Sequence, residues 1–402
     1  MTLQKQKSMR TNTFFTIFIA VYLLCGVMLY EVLSLTYTDE IMVLLLVLYT
    51  GFRWAGSKKK LDKETKWFGA IALFYLFYSF CIGTTSTKAV LLDFQQQIKP
   101  YLAFYCTAYL APSFTARQQK RLHLYIDLLS IGVGIILLAG LTKLFFGGFT
   151  AILATVMLTL SLFHYYMGLD TGLAKKKSLL IMSLGVLSAK AKFFSEYIMA
   201  IYFFLFRKTK LKLTSLKTIL PLVLLGALIV YVIWEKFNFY YIEGMSDSEG
   251  IARPLLYHAG IQILADYLPF GSGFGTFCND AARTVYSPLY YTYNLYTVYG
   301  LSPDNPNFAT DCFYPTLSQF GVVGIYLFIL FWCKRYRQIK ESSDMKSYLT
   351  GYMAMVIILF DAVADSSYLS NRGLPFFILL GLIAQSGIQK RGSIHFVNNL
   401  KQ

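Results

Sequence analysis

Nine basic residues stand apart from the rest of this chain, and they are where chemistry could be done. Of the 37 lysines and arginines, all but Lys88, Lys99, Lys143, Lys190, Lys192, Lys236, Arg253, Arg283 and Arg372 fall in clusters that separate apolar runs. A guanidinium can grip two phosphate oxygens at once, and an ammonium can neutralise a growing negative charge. Arg253 opens the stretch ARPLLYHAGIQILADYLPFGSGFGTF, which also holds His258 and Asp266; Asp311 stands further on, in ATDCF. These three are of the types that can take a proton from a hydroxyl, although His258, five residues after Arg253, also suits a structural role. Gly271, Gly273 and Gly275 could turn backbone N–H groups toward an anion, or they could simply end a helix in a turn. No strand precedes them and no Walker lysine follows, so the nucleotide-binding motifs do not fit. Asp361 and Asp365, in LFDAVADSSYL, lie in or beside an apolar run, where ionisable groups tend to be functional.

The elements that must position these residues are membrane helices. The chain has 402 residues, 56% of them hydrophobic and only 14% charged, whereas soluble domains are about a quarter charged. Apolar runs long enough to cross a bilayer recur. Twelve spans are predicted, near 14–32, 40–54, 67–83, 98–114, 122–146, 149–168, 178–189, 193–206, 216–235, 313–332, 348–367 and 374–389. The seventh and eighth are short and flank the polar stretch SAKAKFFSE, which predicts a broken hairpin. The first is read as a retained span, since no small-residue cleavage site follows it. The basic clusters all fall on one side, which predicts an even span count with both termini cytoplasmic. Lys143 and Lys236, near span ends, suit snorkelling.

The net charge of +16 does not imply nucleic acid, because no aromatic-basic groove accompanies it. The six cysteines lack metal-type spacing, and no D-x-D stands in the loops; the nearest acidic pairs are Asp39–Glu40 and Asp247–Glu249. No metal and no cofactor are predicted. Cys278 and Cys312 both fall on the expected outer side, where they could form a disulfide or remain apolar-packed thiols.

The long segment 236–312 is too long for a connector. Pro254 suits a first helical turn, and Leu255, Leu256, Ile261, Leu264 and Tyr267 follow at helical spacing. The tyrosine-rich remainder suits the membrane interface and also the stacking of sugar rings. An external arginine, an apolar helix, PFGSGFGTF, and then Gln319, Gly321 and Gly324 in SQFGVVG together resemble the O-antigen polymerase/ligase superfamily.

The resemblance implies an all-α integral membrane protein of the GT-C-like kind. Residues 1–235 would form an N-terminal bundle, 236–312 an external catalytic loop with short helices, and 313–402 a C-terminal bundle. It implies a glycosyltransferase of the bacterial cytoplasmic membrane that joins undecaprenyl-diphosphate-linked oligosaccharides into capsular, exopolysaccharide or O-antigen polymer. Its partners would be that substrate, the bilayer, and flippase and chain-length regulator proteins. Arg253, Asp311 and His258 would be catalytic. Lys190 or Lys192, in the place of the family's basic residue, would bind the diphosphate with Arg283, Arg372 and the three glycines. Ligases of the superfamily usually carry a histidine near Asp311; its absence here favours polymerase over ligase or another polyprenyl-linked transferase, with a flippase as the reading from another class.

Overall fold

The apolar periodicity folds into helices throughout, and the described residues contain no sheet. The computed structural model describes residues 3–29, 37–57, 60–141, 150–188, 190–212, 215–239 and 251–384. In order, its helices are α1 (Leu3–Val21, continued by a wider turn, Tyr22–Met28), α2 (Thr38–Ala55), α3 (Lys63–Ile82), α4 (Thr87–Leu110), α5 (Ala116–Leu138), α6 (Thr150–Met167) and α7 (Thr171–Ser183). Then come α8 (Ala191–Ile201), α9 (Leu216–Phe237), α10 (Ala252–Asp266), α11 (Asp280–Val285), α12 (Leu289–Thr292), α13 (Gly321–Lys340), α14 (Met345–Asp361) and α15 (Leu374–Ala384).

Short polar side chains set the helix starts. Asp62 accepts from the Thr65 N–H at 3.2 Å to cap α3, and Asp344 accepts from Ser347 N–H at 2.8 Å to cap α14. Thr115 and Gln118 form a reciprocal capping box on α5. Each satisfies N–H groups that have no partner in the first turn.

Five helices are long and apolar enough to cross a bilayer: Met9–Met28, Lys63–Ile82, Ala116–Leu138, Thr218–Glu235 and Tyr314–Lys340. These mark a multi-pass membrane protein. Only 11% of the apolar window of Lys63–Ile82, and of Thr218–Glu235, is buried inside the protein. Each leucine so exposed would cost about 1.5–3 kcal/mol in water, a cost that lipid removes.

The remaining predicted spans are also helical but fall short of these five. Ile152–Met167 and Leu374–Ala384 are shorter apolar helices. The 18 residues of α2 carry Asp39, Glu40 and Arg53, and α4 holds Pro100 within it and carries Lys88, Asp93 and Lys99. The expected break at SAKAKFFSE is present: α7 tightens into a 3₁₀ turn (Leu184–Ser188), and α8 begins afresh at Ala191.

Helix α10 carries Pro254 in its first turn and buries Ala252, Leu256, Ala259 and Ile263, one face of the helix. With Phe277, Tyr290, Leu301 and Cys312 that face builds a small core separate from the main one. A 3₁₀ turn, Tyr314–Phe320, leads from this core into α13. It packs on α10, where Gly260 lets Pro315 approach; a Cβ at 260 would stand 3.3 Å from the Pro315 Cβ. The polar-aromatic stretch 240–250 lies outside the described residues.

Candidate functional site

Separate segments deliver charged side chains to one end of the bundle. Arg253, in the first turn of α10, donates from Nη2 to Asp311 Oδ2 at 3.0 Å. Two residues after Asp311, the Phe313 N–H bonds to the Ala362 carbonyl at 2.9 Å, and Tyr257 Oη bonds to the Val363 carbonyl at 2.8 Å. Those two bonds fasten the Arg253–Asp311 pair to the connection between α14 and α15. There Arg372 donates through Nη1 and Nη2 to both oxygens of Asp365, at 3.1 and 2.9 Å, a fork-on-carboxylate geometry. Lys192, in the first turn of α8, reaches the same Asp365 at 2.7 Å and Asp361 at 3.1 Å. Asp361 also accepts from Ser367 Oγ at 3.0 Å.

The two carboxylates differ in their surroundings. Asp365 is held by two cations, Lys192 and Arg372, and positions both. Burial raises the pKa of Asp311; Arg253 pulls it back, Asp365 adds to the push, and the net shift is upward. Asp311 is therefore the one of the two better suited to accept a proton.

Arg253, Asp311, Lys192 and Arg372 are thus brought together, and other expected site residues are not. Lys190 precedes α8, is exposed, and has no part in the network. Arg283 is held by Asp280 on its own helix, α11, which packs against α4. His258 is exposed: five residues along a helix is a rotation of about 140°, which turns it away from Arg253. Asp266 accepts from Tyr293 Oη at 2.7 Å. Lys143 lies outside the described residues. Lys99 and the Asp39–Glu40 pair explain one another, since the ammonium is bound by both carboxylates, at 2.7 Å for Glu40. Cys278 and Cys312 are buried free thiols with sulfurs 3.8 Å apart; burial pushes the Cys312 thiol well up.

The glycine turn is a joint, and its N–H groups are taken up by partners within the protein. Gly271 N–H bonds to the Tyr267 carbonyl at 2.7 Å, Gly273 N–H to the Gln319 carbonyl at 2.9 Å, and Gly275 N–H to Asp93 Oδ2 at 2.7 Å. The three donors expected to bind the diphosphate are thus already used within the protein. The Gln319 side chain organises the rest, accepting from Thr276 N–H, Phe277 N–H and Asn279 Nδ2 at 2.7–3.1 Å while its amide donates to Asp93. Gly271 and Gly321 interlock backbone on backbone: a Cβ at 271 would stand 2.4 Å from the Gln319 carbonyl and the Gly321 nitrogen, at φ 85°. Gly271→Ala is therefore expected to destabilise the protein by about 1–3 kcal/mol. Thermal unfolding in detergent checks this, with Gly226→Ala as control, because nothing lies within 4 Å of a Cβ there.

An apolar groove of about 190 Å³ runs between α3, α4 and α13, walled by Phe68, Ile71, Tyr101, Phe328 and Phe331. Phe274 and Phe313 line it toward the charged network, and Glu64 and Lys334 line it toward the other end. None of the network's charged residues lines it; Phe313, two residues past Asp311, is the link.

Two features escaped the sequence reading. Glu196, one turn after Lys192, is fully buried beside Asp361 and Lys192; its i,i+4 spacing from Lys192 was the available signal. His123 and Asp127 share a face of α5 and meet His164 of α6. Searches of protein-family models, curated proteins and solved structures find no match to this chain.

Proposed function

We propose that this protein joins polyprenyl-diphosphate-linked oligosaccharide repeat units on the outer face of a bacterial cytoplasmic membrane, releasing polyprenyl diphosphate. The observation that carries the reading is the Arg253–Asp311 pair, with Asp311 close enough to Asp365 to feel its charge and Asp365 in turn holding Lys192 and Arg372. The twelve-span topology, the cytoplasmic termini and the resemblance to the polymerase/ligase superfamily belong to the same reading.

An acceptor hydroxyl oxygen attacks the anomeric carbon of the donor sugar, and the bond from that carbon to the diphosphate oxygen breaks. Its electron pair leaves with polyprenyl diphosphate, and the hydroxyl proton passes to Asp311. Arg253 donates to Asp311 at 3.0 Å. An arriving diphosphate carries more negative charge than that carboxylate and draws the guanidinium to itself, leaving Asp311 to serve as base. Asp365 keeps Lys192 and Arg372 aimed at the leaving group. The apolar groove suits the polyprenyl tail, and the exposed rings of Tyr291, Tyr296 and Tyr299 suit stacking against sugars.

The test is reconstitution of the full chain in proteoliposomes with a defined polyprenyl-diphosphate oligosaccharide. A ladder of polymer still attached to polyprenyl diphosphate is expected. Transfer to lipid A or protein would make it a ligase, and translocation without a new glycosidic bond would make it a transporter; either result overturns the reading. Because Asp311 must be ionised to act and its pKa lies above the ordinary carboxylate range, the rate is expected to fall as pH drops through that raised value. The acidic limb should vanish, along with most of the activity, in Asp311→Asn. A profile flat down to the pH where an exposed aspartate titrates would count against this role.

A further inference from the structure

The strongest unassigned constellation lies at the end of the bundle bearing the basic stretches 117–121 and 175–177, away from the segment that carries Arg253. His123 and Asp127 stand one turn apart on α5, and His164 is in the last turn of α6, which packs against α5. One ligand atom from each lies within 4.8 Å of the others. His164 Nε2 is 3.0 Å from Asp127 Oδ1, and His123 Nδ1 is 3.6 Å from Asp127 Oδ2. Around a tetrahedral ion with bonds of 2.0–2.1 Å, ligand atoms are separated by about 3.3 Å; the two separations fall on either side of that value, though they run to different oxygens of Asp127, and with the set as a whole within 4.8 Å the side chains need draw in only slightly to close on an ion.

Three further observations point to an ion. The His164 side chain is fully buried, and its Nε2 faces Asp127 without making a hydrogen bond. A buried ring nitrogen left in that state is costly, and a metal would satisfy it. Its other nitrogen, Nδ1, lies 2.8 Å from Ser178 Oγ, and the Ser178 carbonyl accepts from Ser161 Oγ at 2.8 Å. That is the outer-shell support a ligating histidine needs, because a proton on Nδ1 leaves Nε2 free as a donor pair. Finally, His123 and Asp127 are partly exposed, which leaves a path for an ion and a place for a water ligand.

We propose that His123, Asp127 and His164 form a binding site for one divalent transition-metal ion of the zinc class, completed by water and fastening α5 to α6. Two imidazoles and one carboxylate favour Zn²⁺, Co²⁺ or Ni²⁺ over Mg²⁺ and Ca²⁺, which prefer all-oxygen shells. Lys177, with Nζ 3.8 Å from Asp127 Oδ2 and a side chain 45% exposed, occupies the carboxylate when no ion is there. Its ammonium opposes the ion and must swing into solvent on binding, so it sets the affinity.

The site is tested on the tag-free full-length protein in detergent, with Co²⁺ and then Zn²⁺ as probes. One Co²⁺ per chain is expected to give visible d–d absorption, displaced by Zn²⁺ and not by excess Mg²⁺, with Zn²⁺ raising the unfolding temperature. His123→Ala, at a partly exposed position, should abolish both signals while its metal-free unfolding stays near that of the parent. Lys177→Met, which removes a charge without touching a ligand, should tighten Co²⁺ binding by about fivefold or more. Absence of the absorption, equal competition by Mg²⁺, or unchanged binding in both variants would overturn the proposal.

Discussion

Arg253→Ala is expected to abolish polymer formation, with a rate loss of about a hundredfold or more, while the protein remains inserted and folded. Removing one preorganised donor from a site of developing charge costs about 10²–10³ in rate. The structural cost is small by comparison. Asp311, which loses the bond from Arg253, has a side chain 34% exposed and can be rehydrated. Arg253→Lys keeps the charge and loses the fork, so it should recover only part of the rate. The double variant Arg253→Ala/Asp311→Asn separates the roles. If the pair served only to hold the fold, neutralising Asp311 would restore function; with Arg253 gripping the leaving group, activity stays lost. Gel analysis of glycan chain length, together with single-turnover release of polyprenyl diphosphate, reads the outcome. Normal chain length in Arg253→Ala would remove the central residue of the proposed mechanism.

Lys192→Met should act on the fold first. It withdraws the ammonium shared by Asp361 and Asp365, whose side chains are 0% and 14% exposed. Stripping one partner from a buried ion pair costs about 3–5 kcal/mol, because the remaining charge is left in a poor solvent for it. Asp365 still has Arg372; Asp361 keeps the bond from Ser367 Oγ and the neighbouring Glu196, and neither supplies a positive charge. The loss should therefore fall mainly on Asp361, and adding Asp361→Asn should return much of the stability. Thermal unfolding of the three variants in the same detergent measures this. A midpoint for Lys192→Met equal to that of the parent would mean that the network is not holding α8 to α14.

Much of the site was legible because membrane chains ration their charges. Arg253, Lys192, Lys99 and Arg372 each break the pattern that places basic residues between spans on one side, and each turns out to have a carboxylate partner. Pro254 and the apolar spacing after it mark α10 well. Asp311 could be chosen by family likeness, but nothing local announces that it meets Arg253, 58 residues away. The glycine turn shows where sequence runs out. Left-handed backbone at Gly271, Gly273 and Gly275 is foreseeable, whereas the fate of their N–H groups depends on Asp93 and Gln319, from distant parts of the chain. His258 failed as a candidate for a rotational reason, since five residues do not share a helix face. Helices α2 and α4 are less apolar than the five longest because their polar residues find partners inside the protein: Asp39 with Lys99, and Asp93 with Gln97 and Gln319.

The joint around Gly271–Phe277 has a kinetic corollary. Bonds from Tyr78, Ser79, Asp93 and Gln319 clamp that backbone onto α3, α4 and the turn before α13. A segment so riveted does not swing aside to admit a bulky reactant from the aqueous phase. Lipid-borne reactants would instead come sideways, in the plane of the bilayer. Turnover would then track the mole fraction of donor among the lipids and fall when inert phospholipid or detergent thins that population, even with the bulk molarity held constant.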